Sequence, residues 1–177
     1  MAIKAKCNYN KESIKALTYV SIYKKSNPKK TFLTRTIICF VPLLVIVGEL
    51  FAFGFDIFPL FLMILDVLII LIDFFYYFAF PAIQYNSLAR MKCAENDYIF
   101  CDNTMKIFTK SNEYSGEAEV EYSLFVKVYE TSKYFFIYQT NNQAFIIDKQ
   151  TVEGGTPGDI RSKLLGFVKN RYVICRY

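Results

Sequence analysis

Hydrophobic positions are distributed unevenly along this chain of 177 residues. From Thr36 to Phe80 they run almost unbroken as Phe, Leu, Ile and Val, interrupted only around Gly54–Asp56. Thr36–Phe55 is 20 residues long. As a helix it spans about 30 Å, the thickness of a bilayer's hydrocarbon core. Phe58–Phe80 has 23 residues, enough to span with some tilt. Only Asp56 and Ile57 separate the two, so the pattern predicts a tight antiparallel transmembrane hairpin over residues 36–80. Aromatic residues gather at both ends of it, Phe51, Phe53, Phe55, Phe58 and Phe61 near the turn and Phe74 through Phe80 at the exit, as an interfacial belt requires.

Upstream, residues 1–35 read as a basic N-terminal arm. Asn10–Lys25 is predicted to be a helix, with Asn10 as N-cap and Pro28 beyond its end. Ala16, Tyr19, Val20 and Tyr23 share one face with Leu17 beside them, and Lys11, Lys15 and Lys25 point away. Ile14 and Ile22 interrupt this pattern. Such a helix either lies among anionic headgroups or packs on the rest of the protein with its lysines in water.

After Glu95 the period changes. Asp97–Phe100, Thr104–Thr109, Glu117–Tyr122, Leu124–Tyr129, Tyr134–Gln139 and Gln143–Asp148 read as six short strands, with Asn141-Asn142 as a tight hairpin turn. Glu117, Glu119 and Glu121 occupy one face of their strand, the signature of a charged, solvated edge. Thr156-Pro157-Gly158-Asp159 opens a helix, with Thr as N-cap, Pro first and an acid three residues on. Ile160, Leu164, Phe167 and Val168 form its expected buried stripe. The result is a small α+β domain over residues 95–177.

Charge adds the topology. Up to Arg35 there are nine Lys/Arg and one acid, from 36 to 81 four acids and no base, and thereafter twelve bases and eleven acids. Positive charge flanks only the outer ends of the hairpin, at Lys29, Lys30 and Arg35 and at Arg90 and Lys92. The positive-inside rule then places both termini in the cytoplasm and Asp56 outside. Five cysteines without a CxxC pair suggest reduced thiols rather than a disulfide framework.

Candidate chemistry is sparse. Without histidine, a Ser or Cys nucleophile lacks its usual base and the common zinc sets cannot be assembled. Gly154–Gly158 before a helix lacks the Gly-Lys-Ser/Thr of a P-loop. No enzymatic activity, cofactor, metal or nucleic-acid partner is expected. The anomaly is three acids in the hairpin, Glu49, Asp66 and Asp73. Asp66 and Asp73 are seven residues apart and share a helix face. A charged carboxylate at that depth costs about 2.5–3.5 kcal/mol on insertion scales, so each needs a proton or a partner. Gly48 and Ala52 would let another helix approach closely. The acids either tie the two helices together, form a polar seam for a homo-oligomer, or sense protons or cations.

The segments Val120–Ser123, Val126–Thr131, Lys133–Tyr138, Gln143–Lys149 and Gly155–Arg161 resemble the YcxB-like family of small bacterial membrane proteins. The shared motif includes Tyr122, Glu130, Tyr134, Lys149 and Gly155. The resemblance implies a pleckstrin-homology-like fold, a bent antiparallel β-barrel or sandwich closed at one end by the C-terminal helix. Such folds have seven strands, and Leu88–Lys92 is a candidate for the seventh. No activity or catalytic residue is implied. Together these features describe a non-enzymatic, multi-pass protein of the bacterial cytoplasmic membrane. Its β domain would present an interaction module to a protein or lipid partner. The alternative is an oligomeric channel or transporter subunit built on Glu49, Asp66 and Asp73.

Overall fold

The computed structural model describes residues 2–54, 57–88, 94–111 and 115–175. Phe55 and Asp56 of the turn, Arg90, Lys92 and most of the segment Leu88–Lys92 lie outside them.

The chain begins with a strand, β1 (Ile3–Asn8), where a basic arm was expected. Ile3, Ala5 and Cys7 point inward while Lys4, Lys6 and Asn8 face out, so the lysines are the solvated half of a period-two pattern. β1 pairs antiparallel with β2 (Glu95–Phe100), which continues through β3 (Thr104–Lys110) to β4 (Ser115–Glu121). β4 is the edge of this sheet, and its Glu117, Glu119 and Glu121 are exposed, as expected of a protected edge.

The second sheet is ordered β7-β6-β5-β8, from β5 (Lys127–Glu130), β6 (Tyr134–Tyr138), β7 (Ala144–Asp148) and β8 (Tyr172–Ile174). Leu124 belongs to a short helical turn at 122–124 rather than to β5. β8 was not anticipated. It returns parallel to β5 after helix α5, and only three residues long it carries little pattern of its own. Eight described strands thus form two four-stranded sheets rather than a closed barrel, linked between their edges by the Lys4–Glu153 bridge.

Four helical segments separate β1 from β2. α1 (Lys11–Tyr23) starts at a reciprocal cap: Asn10 Oδ1 accepts from Ser13 N–H at 2.9 Å, and Ser13 Oγ accepts from Asn10 N–H at 3.1 Å. Its fully buried residues are Ser13, Ile14, Thr18 and Val20, so Ile14 marks the packed face instead of interrupting it. α2 (Pro28–Phe53) starts earlier than hydropathy suggests. Asn27 caps it and Pro28 occupies its first position, so the proline opens this helix rather than ending the previous one. α3 (Ile57–Phe74) continues through a π-helical turn at 75–79 into α4 (Phe80–Ser87). Both long helical stretches are apolar enough to cross a membrane, and within the chain their apolar windows are 6% and 0% buried.

α5 (Pro157–Val168) carries the expected cap, with Thr156 and Asp159 bonding reciprocally. Ile160, Leu164 and Val168 are buried under the second sheet's core, whereas Phe167 remains partly exposed against Tyr122.

Candidate functional site

The hairpin makes direct side-chain contacts with α1. Pro81, having no N–H, cannot bond the carbonyl four residues back, that of Tyr77. Tyr19 of α1 supplies the missing donor, its hydroxyl reaching Tyr77 O at 3.0 Å while the two rings stack at 5.3 Å. Phe32 of α2 stacks on the same Tyr77 ring at 4.5 Å. At the preceding residue of α1, buried Thr18 donates its hydroxyl to Ile14 O at 2.9 Å and shares a 2.5 Å contact with Gln84 Oε1 of α4. α1 therefore packs on protein, and its Tyr19 hydroxyl bonds the carbonyl that Pro81 leaves free.

The three hairpin acids meet different fates. Asp73 accepts from Arg35 Nη1 at 3.1 Å, closing the end of α2 against α3. Asp66, two turns along the same face, is half-buried, and Glu49 is exposed on the outward face of α2. Glu49 lies five residues before Gly54 and Asp66 nine after Ile57, so the two differ in depth by about one turn, ~6 Å. The described structure therefore brings none of the three acids together, and among the described residues no hydrogen bond or ion pair reaches Glu49 or Asp66.

The motif residue Glu130 sits at the opposite extreme. Its side chain is 1% exposed on β5, and three elements converge on it. Lys149, just after β7, donates to Oε1 at 2.7 Å, Arg161 of α5 donates to both oxygens (Nε to Oε2 at 2.8 Å), and Tyr172 of β8 donates to Oε2 at 2.6 Å. Burial by itself raises the carboxyl pKa, but the hydrogen bonds from Arg161, Lys149 and Tyr172 outweigh it and hold the group at about 2. Tyr172 is pushed upward by burial and by this carboxylate, so it stays a donor. Lys149 Nζ also donates to Thr131 O at 2.5 Å and lies over the Phe135 ring. The cluster is a structural clasp, locking the C-terminal helix and strand to the centre of the second sheet.

The other motif residues also have packing roles. Tyr122 is buried and donates to Cys101 O at 2.8 Å, and Tyr134 closes a tight turn through its backbone bonds with Thr131. Gly155 lies against β1, where an added Cβ would come within 2.9 Å of Ile3 Cγ1.

A cleft of about 550 Å³ opens where the hairpin meets the β domain. α1 and the end of α4 form one wall, β2, β3 and the β6–β7 hairpin the other. Asn96 of β2 is 4% exposed and lines it. Its Nδ2 donates to Tyr9 Oη at 3.2 Å and Tyr98 Oη at 3.0 Å, while Oδ1 has no partner. A buried acceptor left unbonded costs about 1–3 kcal/mol, which makes this atom an exception to be accounted for.

Tyr172 and Asn96 were not singled out from the sequence, and Tyr19 and Arg161 entered only as members of a helix face and of a family segment. Only Asn96 carried a local signal, a polar residue at an inward position of the alternating stretch Glu95–Phe100.

Residues 106–161 match the model of a family described as YcxB-like protein. The match runs from β3 into α5 and includes Tyr122, Glu130, Tyr134, Lys149, Gly155 and Arg161, supporting the YcxB-like assignment. No curated protein and no solved structure matches the chain.

Proposed function

We propose that this YcxB-like chain is a non-enzymatic, multi-pass protein of the bacterial cytoplasmic membrane. In this reading both termini face the cytoplasm, and the β domain is a pleckstrin-homology-like module that recognises a protein partner. The observation that carries it is the pair of long apolar helices, exposed along nearly their whole length and fused through α1 and α4 to a well-packed β domain. Apolar surface of that extent requires a bilayer or a partner. On the domain itself, Leu124 is 59% exposed and Phe167 37%, close to where α5 packs on the 122–124 turn. The near balance of acids and bases after the hairpin favours a protein over anionic lipid headgroups.

A cysteine at position 124 in a cysteine-free background should react with a membrane-impermeant maleimide only after the cells are permeabilised. Labelling of intact cells would reverse the topology. A photo-crosslinker at the same position should give one protein adduct of defined mass, lost in Phe167→Asp. A lipid adduct would redirect the module to headgroups, and no adduct would remove the interaction reading.

A second reading is favoured by one observation, that Glu49 and Asp66 have no partner within the described chain. Here the hairpin self-associates, and the assembled acids form a cation or proton path. Two helices cannot enclose a path, so oligomerisation is its first requirement. Liposomes carrying the protein should then show pH-dependent flux that falls in Asp66→Asn and Glu49→Gln. Absence of flux, or flux indifferent to both substitutions, ends this reading.

A further inference from the structure

We propose that the first two turns of α2 carry a headgroup site for one anionic phospholipid, formed by Lys30, Thr31, Thr34 and Arg35. The site rests on the reading that α2 and α3 span a bilayer, and it is separate from the β domain's partner. Ser26 and Asn27 join these four residues around an open hollow of about 330 Å³, and all six are polar. Lys30 and Thr34 are four residues apart, as are Thr31 and Arg35, so both pairs fall on one side of the helix. Thr36, on the half-buried side, donates its hydroxyl to Phe32 O at 2.9 Å, a common bond for a threonine within a helix. The hydroxyls of Ser26, Thr31 and Thr34 make no such bond among the described residues, and the Lys30 ammonium has no acceptor there either. One hollow therefore gathers three hydroxyl donors and a cation that the fold leaves unused.

Charge and position select the occupant. Asp73 already accepts from Arg35, and Glu12, the one acid among residues 1–35, is bonded to Lys133. A phosphate diester supplies the negative charge that Lys30 lacks and accepts from the hydroxyls as well. Beyond the hollow the same side of α2 continues as Ile38, Val41 and Val45, which are 63%, 57% and 57% exposed. Acyl chains attached to the phosphate would run along these residues, which a free phosphate would leave uncovered. A second copy of the chain, inserted the same way round, would set Lys30 against Lys30 at this place, and like charges oppose that. A zwitterionic headgroup brings a cation of its own to Lys30 and fits less well. The fitting ligand is therefore a phospholipid with a net negative head.

Native mass spectrometry of the full chain in an uncharged detergent tests this, with phosphatidylglycerol and phosphatidylcholine of the same acyl chains as probes. Phosphatidylglycerol should bind at least about tenfold more tightly than phosphatidylcholine. Lys30→Gln should weaken its binding about tenfold, and Thr34→Val about threefold. Lys29→Gln removes the same charge one residue away, about 100° round the helix and outside the hollow, and should change binding by less than about twofold. Equal loss in Lys29→Gln and Lys30→Gln describes a diffuse basic surface and overturns the proposal, as does equal binding of the two lipids. Glycerol phosphate, a head without chains, should compete at least about a hundredfold more weakly than the lipid, and parity would overturn the assignment to a lipid. Carbonate extraction of membranes tests the spanning reading separately. Release of the chain ends that reading and the site with it, whereas a retained chain whose lipid binding ignores Lys30 ends this proposal alone.

Discussion

Two carboxylates mark the contrast between the halves of this protein. Glu130, in the β domain, is almost fully buried and bonded by Arg161, Lys149 and Tyr172. Glu49, in the hairpin, stands on an outward helix face with no partner in the described chain. The first region satisfies its most demanding group internally, drawing on elements from three places in the sequence. The second leaves Glu49, Asp66 and its apolar surface to whatever surrounds it, although Asp73 is paired with Arg35. A domain closed on itself and a hairpin completed from outside imply different responses to the same kind of substitution.

The largest effect should come from Glu130→Gln. It removes the charge from a site built around two cations, a change worth about 3–5 kcal/mol for a buried pair. Urea unfolding of the solubilised chain, followed by the near-ultraviolet dichroism of its tyrosines, measures it. A loss below about 1 kcal/mol would mean that the clasp is not the domain's keystone. Acid should act through the same group. Its pKa is lowered from 4.5 to about 2 on folding, so its contribution is complete above pH 4.5 and fades as pH falls toward 2. The amount at stake is about 3 kcal/mol, and in Glu130→Gln that part of the acid sensitivity should be gone.

Gly155→Ala should cost about 1–3 kcal/mol, because the new methyl overlaps Ile3. Combined with Ile3→Ala the two costs should fall short of their sum, confirming that β1 is packed on the α5 entrance. Tyr19→Phe leaves the Tyr77 carbonyl without its donor beside the proline and should cost about 1 kcal/mol. Hydrogen exchange in α1 would rise, while exchange in β5 and β6 should not. The smallest effect belongs to Asp73→Asn. Arg35 is 59% exposed, and such pairs contribute about 0–1 kcal/mol. A much larger loss would show that the hairpin, like the domain, depends on an internal ion pair.

Much of the local structure was legible before any coordinates. The Asn10 and Thr156 caps, the strands at Thr104, Tyr134 and Gln143, and the charged edge of β4 all follow from short-range rules of side chain and period. β1 was legible in principle, since Ile3, Ala5 and Cys7 alternate with polar residues. Two of those inward residues are small, and the intervening lysines looked like part of a basic arm. The long-range partners were not legible. Nothing local connects Glu130 to Tyr172, Tyr19 to the carbonyl that Pro81 leaves free, or Asn96 to a cleft walled by α1 and α4.

The sequence by itself determined that an apolar stretch long enough for two spans, interrupted only around Gly54–Asp56, precedes a strand-rich domain. Hydrophobic periodicity and capping act within one or two turns of chain, so they can be read from neighbours alone. Only the tertiary structure decided which charges are satisfied and which are not. A buried carboxylate is stable only where donors from distant segments arrive together, and that convergence is a property of the packed fold. The same reasoning leaves Glu49, Asp66 and the Oδ1 of Asn96 as polar groups without a partner among the described residues.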